Sequence, residues 1–75
     1  MTEKFVVVLT QEEDGWIVAE CPSLPGCFSQ GRDREEAIQN IREAIQLSLE
    51  TRESEGLSTR PIPTEVTEIQ LAVNG

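Results

Sequence analysis

The chain has 75 residues, and 14 acidic against 6 basic side chains give it a formal net charge of −8. At this length folding removes only about 60% of the unfolded surface from water, so one domain over residues 1–75 with one small core is expected, and support from a second chain is favoured. The cations Lys4, Arg32, Arg34, Arg42, Arg52 and Arg60 are scattered, whereas counterion-release binding to DNA or RNA needs them clustered, so direct nucleic-acid binding is not expected.

Residues 4–10 are rich in β-branched side chains and predict a first strand. It is apolar on both faces, with Phe5, Val7 and Leu9 on one and Val6 and Val8 on the other. The polar run 11–15 ends in Asp14-Gly15, a pair that favours hairpin turns. Residues 16–21 predict a second strand. Pro22, Pro25 and Gly26 then interrupt any ladder or helix, and residues 27–30 make a short third strand closed by Gly31. Asp33 can cap a helix whose first turn holds Glu35 and Glu36, the latter completing a capping-box spacing. Ala37, Ile38, Ile41, Ala44, Ile45, Ser48 and Leu49 form one stripe at three- and four-residue spacing, and Gly56 is a natural stop. Pro61 and Pro63 make residues 57–63 an extended connector. From 66 to 73 the pattern alternates, with Thr67, Ile69, Leu71 and Val73 on one face and Glu68 and Gln70 on the other, which predicts a fourth strand.

The expected architecture is α+β, in the order β-β-β-α-β: a four-stranded sheet with one long helix on one face. The right-handed crossover rule would set the last strand parallel to the first. One helix covers one face only. Val6 and Val8, with one alternate set from the second strand (Trp16 and Val18, or Ile17 and Ala19), are then left on the uncovered face. Exposed apolar sheet surface usually signals association. Taking the second alternative, Val6, Val8, Ile17 and Ala19 form the expected oligomer interface of a homodimer or homotetramer.

Little catalytic chemistry is open to this composition. Histidine is absent, which removes imidazole-activated nucleophiles and His-containing metal sites, and Ser23 and Ser29 have no base to activate them. Cys21 and Cys27 are too few for a structural zinc and are not at redox-motif spacing, so they read as free, partly buried thiols. Of the carboxylates Glu12, Glu13, Asp14 and Glu20, three lie on one turn, whereas a metal pair needs ligands converging from several elements. No catalytic residue, metal or cofactor is expected. No run approaches the ~18–20 apolar residues of a membrane span, and no basic-then-apolar leader is present; a cytoplasmic protein is expected. An acidic surface attracts basic proteins and speeds their encounter.

The turn Asp14-Gly15-Trp16, the block from Cys21 to Gly31 (Cys-Pro-Ser-Leu-Pro-Gly-Cys-Phe-Ser-Gln-Gly), the helix opening Glu35-Glu36-Ala37, the phrase Arg42-Glu43-Ala44-Ile45 and Ile62-Pro63 together resemble the HicB-like antitoxin family. The resemblance covers almost the whole chain, and the Pro-x-x-Pro-Gly-Cys loop is its most specific part. It implies a partial ribonuclease H-like fold without that enzyme's carboxylates, and a non-enzymatic antitoxin of a type II toxin–antitoxin pair. The implied partner is a HicA-like toxin, a small basic ribonuclease that cleaves mRNA with a histidine and is blocked by the antitoxin. Many members carry an operator-binding segment at the C-terminus, whereas residues up to 75 end on the fourth expected strand, so operator binding is not expected. Partner-binding residues are expected at Trp16, Glu20, Pro22, Leu24, Pro25 and Phe28. For Trp16 the alternative is a sheet or core anchor, and for the loop residues a tight connection between strands. The alternative for the whole chain is a stand-alone oligomeric scaffold or small-ligand-binding module.

Overall fold

The computed structural model describes residues 2–74. Three strands, β1 (Val8–Gln11), β2 (Ile17–Glu20) and β3 (Phe28–Gly31), form an antiparallel sheet in the order β1-β2-β3, and one helix, α1 (Arg34–Ser54), comes after them. In the first hairpin Glu12 N donates to Trp16 O at 2.8 Å and Gly15 N to Glu12 O at 3.0 Å, with Gly15 at φ +91°. The left-handed glycine after the turn lets the strands re-pair without splaying. The Asp14 carboxylate accepts the Trp16 amide at 3.0 Å and braces the exit. β1 starts at Val8 rather than residue 4. Continued backwards, its register would meet Cys21 and Pro22, where the opposite chain turns into the proline loop and Pro22 has no amide to donate.

Pairing register assigns the faces. Leu9 pairs Ala19 and Ala19 pairs Ser29, while Gln11 pairs Ile17 and Ile17 pairs Gly31. These rows face the helix. The alternate rows, Val8–Glu20–Phe28 and Thr10–Val18–Gln30, face away from it. The core lies between sheet and helix: Ala19, Cys21, Leu24, Cys27, Ala37 and Ile41 are buried, with Phe5, Val7, Leu9, Ile17, Ala44, Ile45 and Leu49 packed around them.

The helix is capped as its sequence requires. Asp33 Oδ1 accepts Glu36 N at 2.8 Å, and Glu36 Oε1 in turn accepts Arg32 N at 3.0 Å, one residue before the cap. At the other end Gly56 takes φ +73°, Leu57 N reaches Arg52 O at 2.8 Å and Gly56 N reaches Glu53 O at 3.1 Å, a Schellman closure. The helix sits tightly on β3 because Gly31 has no side chain. A Cβ there would collide with the Ala37 backbone nitrogen and lie 2.7 Å from the Glu36 carbonyl carbon.

Among the described residues the expected fourth strand does not form, and their sheet has three strands rather than four. Residues 66–73 are exposed and make no ladder. A strand exists only by pairing with an edge, and the connector directs the tail away from both. Arg52 Nε donates to Ser58 O at 2.7 Å, holding the connector to the helix end, and the prolines at 61 and 63 stiffen the chain beyond it. No parallel crossover back to β1 is made.

Replacing Gly31 by Ala is expected to lower unfolding free energy by about 1–3 kcal/mol, the usual range for overpacking against backbone. Replacing the exposed Gly15, whose Cβ would meet nothing within 4 Å, carries only the strain of its positive φ. Urea denaturation of the two Ala variants checks the order, with Gly31→Ala the more damaging.

Candidate protein-binding surface

The uncovered side of the sheet carries a mixed apolar and acidic patch. Val8, Glu20 and Phe28 form one row across the three strands, and Val18 lies at the centre of the next. Strand alternation puts Val6 and Trp16 on this same side. Phe28 is 65% exposed and Trp16 37%, and Phe28, at the sheet edge, also lines a concavity against the C-terminal half of α1; among the described residues no element covers this side of the sheet. Glu20, exposed between Val8 and Phe28, is the carboxylate set among them.

The loop from β2 to β3 tucks toward the helix side, with Leu24 and both thiols in the core beside Ala37 and Ile41 and Pro25 and Gly26 lining a concavity against α1. Leu24 N donates to Cys21 O at 3.1 Å and Cys27 N to Leu24 O at 3.0 Å, two successive turns, with Cys21 N closing the base on Cys27 O at 2.9 Å. Gly26, at φ +76°, makes the second reversal possible. Pro22 and Pro25 are exposed at the loop's tip while Leu24 points inward as a core residue, 3% exposed. Of the six expected partner-binding residues, Trp16, Glu20, Phe28, Pro22 and Pro25 are accessible. Leu24 is not, because its side chain fills the space beneath the loop.

The expected oligomer set divides in two. Val6 and Val8 belong to the uncovered face, but Ile17 and Ala19 face the helix, and Ala19 is completely buried. Those four residues share no surface. The register selects the other alternative from β2, Trp16 and Val18, as the companions of Val6 and Val8.

The concavity, of about 460 Å³, lies between the proline loop and the C-terminal half of α1, where Cys27, Phe28, Leu47, Thr51, Arg52 and Glu55 meet. Its aromatic and aliphatic members were legible as exposed apolar residues, but nothing in the sequence joined positions 25–28 to 44–57. The carboxylates of the first hairpin stay on their exposed turn, with Glu20 at the far end of β2. Among the described residues no group of three His, Cys, Asp or Glu side chains could hold a metal ion, and no helix is long and apolar enough to cross a membrane. Cys21 and Cys27 are free and buried. Burial, and then the neighbouring Cys21, push the Cys27 thiol up from its ordinary 9.0. Cys21 Sγ lies 3.6 Å from Ser23 Oγ. These groups make a closed polar contact inside the loop rather than a nucleophile.

The sequence profile described as "HicB_like antitoxin of bacterial toxin-antitoxin system" matches residues 5–74. The chain belongs to this family. A UPF0150 protein of Thermoplasma acidophilum is 48% identical over 48 residues, covering 64% of this chain and 70% of that one. One from Synechocystis is 49% identical over 61 residues, covering 81% and 73%, and one from Archaeoglobus fulgidus is 41% identical over 51 residues, covering 68% and 74%. No solved structure gives a significant match. Membership in the HicB-like family assigns the chain the kind of role its family is described by, that of an antitoxin, whose counterpart is a toxin.

The thiols give a direct check on the loop. In the native chain Cys27 is expected to resist iodoacetamide at pH values up to 9.0, its ordinary pKa, and to react rapidly once guanidinium opens the fold. A raised folded pKa means the folded chain holds the proton longer, so stability falls as pH rises above that value. Alkylation followed by mass spectrometry reads both.

Proposed function

We propose that this HicB-like chain neutralises a small basic HicA-like toxin by covering its RNA-binding, mRNA-cleaving surface, with the uncovered sheet face and proline loop as the contact. The observation that carries this reading is the row Val8–Glu20–Phe28 with Trp16 and Val18 beside it, left without any cover by a helix that occupies the opposite side. Aromatic anchors in a desolvated centre, ringed by charge, are what protein interfaces concentrate their energy in. The net charge of −8 supports the choice of partner. Carboxylates meeting a cationic surface that normally receives phosphates speed association and favour this partner over neutral ones. The antitoxin acts by occlusion and performs no reaction, in the cytoplasm where mRNA is the target.

The same reading takes the chain as self-associating, a homodimer or homotetramer, because it is small and leaves apolar surface on more than one side. A fourth strand over residues 66–73 would then complete the partial ribonuclease H-like arrangement, a folding unit formed by residues 1–75.

Glu20→Lys and Phe28→Ala are each expected to weaken binding to the cognate basic toxin by tenfold or more, roughly 1.4 kcal/mol. Both residues are solvent-exposed in this chain, so the fold should be kept, as circular dichroism will show. Calorimetric titration at two salt concentrations checks it: the wild-type affinity should fall as salt rises, and the Glu20→Lys affinity should fall less. Unchanged affinity in both variants would move the contact elsewhere on the chain.

A further inference from the structure

We propose that residues 66–73 of one copy pair with the free edge of β1 in a second copy, reciprocally, so that two chains close into a twofold dimer by exchanging their C-terminal strands. The proposal is separate from toxin binding, which uses the outer face of the sheet, whereas this contact uses its edge and the helix side.

The two edges of the sheet are not equivalent. The β3 edge is partly capped by α1, where Asn40 Nδ2 donates to Gln30 O at 2.8 Å and Glu36 Oε1 accepts Arg32 N at 3.0 Å. The β1 edge has no such cover. Since Glu12 N bonds Trp16 O, antiparallel alternation turns the backbone of Leu9 and Gln11, and of Val7 before them, outward. Among the described residues none of these groups meets a backbone partner. An unpaired edge of this kind is a template for another strand.

Beneath that edge, on the helix side, runs an apolar groove of about 330 Å³ between Phe5 and Val7 on one wall and Ile38, Ile41, Ile45 and Leu49 on the other. Its charged member is Arg42, which makes no ion pair among the described residues. The tail has the complementary pattern. Ile69, Leu71 and Val73 are 79%, 76% and 84% exposed, and with Thr67 and Glu65 they share one side of an extended chain. A strand laid on the β1 edge directs that side into the groove and brings a carboxylate toward Arg42. The lengths agree: six steps of extended chain from 67 to 73 span about 20 Å, and the helical wall from Ile38 to Leu49 about 16 Å.

A second copy, rather than the chain's own tail, is the occupant this geometry selects. The tail leaves the body, giving a Cα radius of gyration of 14.6 Å and a long axis of 50 Å against 27 and 20 Å, where a compact chain of this length has about 11 Å. Pro61 and Pro63 stiffen the departure, and a hinge that resists doubling back favours exchange between protomers.

Sedimentation of the 75-residue chain, with hydrogen exchange across a dilution series, tests this. The expected result is a species of twice the 8.3 kDa chain mass, with amides of 67–73 and of Val7, Leu9 and Gln11 protected together and losing that protection on dilution. The double variant Ile69→Lys, Leu71→Lys removes no packing within one chain, and is expected to be a folded monomer with a mobile tail. A wild-type monomer at all concentrations overturns the proposal, as does a dimer that survives the double variant. A monomer whose tail amides are protected independently of dilution shows the strand docking on its own body, and overturns it as well. Toxin binding by a monomeric double variant would leave the occlusion reading standing whichever way these results fall.

Discussion

One close approach organises this molecule: the first turns of α1 resting on β3 at Gly31, where only the absence of a side chain lets the Ala37 and Glu36 backbone come in. Because the helix is anchored there, it covers β3 and β2 and leaves β1 at the margin. Ala37 and Ile41 then fall over Ala19, and the paired turns of the proline loop bring Leu24 and the two thiols beneath the same helix. Among the described residues this arrangement assembles a core of six buried apolar side chains. Everything else apolar lies at its border or in water, which is the physical reason the chain offers so much surface to other molecules.

That surplus falls into two regions of different character. The outer face presents Glu20 between Val8 and Phe28, with Val18 in the next row, a chemistry suited to a cationic protein, and the family to which the chain belongs is one of antitoxins. The β1 edge presents unpaired backbone above an aliphatic groove, a chemistry suited to a strand. A contact of the first kind draws on charge and aromatic anchors, and one of the second on ladder hydrogen bonds with alternate side-chain pockets. Because the regions lie on different sides of β1, both can be engaged at once. The acidic charge, spread along the helix and the first hairpin, keeps like copies apart except where an apolar contact outweighs it.

Local chemistry is legible in the sequence wherever it depends on neighbours in the chain. Asp33 with Glu36, and Gly56 at the far end, mark the limits of the helix to within a residue or two, since caps are satisfied by backbone groups three to five positions away. Asp14-Gly15 locates the first hairpin for the same reason. Of the residues expected at the candidate surface, Trp16, Glu20, Pro22, Pro25 and Phe28 are exposed. Leu24 is buried, which is not legible in the sequence, because a leucine between two prolines looks the same whether its loop lies flat or folds inward. Ile17 and Ala19 lie on the opposite side of the sheet from the one expected, because the second strand is apolar on both sides and alternation alone does not say which side meets the helix.

Composition, charge and local pattern thus gave an acidic, histidine-free α+β chain with a three-stranded meander, one capped helix and an expected fourth strand that the sheet lacks, and motif spacing determined its family. Tertiary structure alone decided which alternate rows are buried, that Asn40 caps a carbonyl on one edge while the other carries no such contact, and that the alternating stretch 66–73 pairs with no strand among the described residues. Those outcomes depend on distances between residues far apart in sequence, and a strand, unlike a helix, has no hydrogen-bond partners of its own.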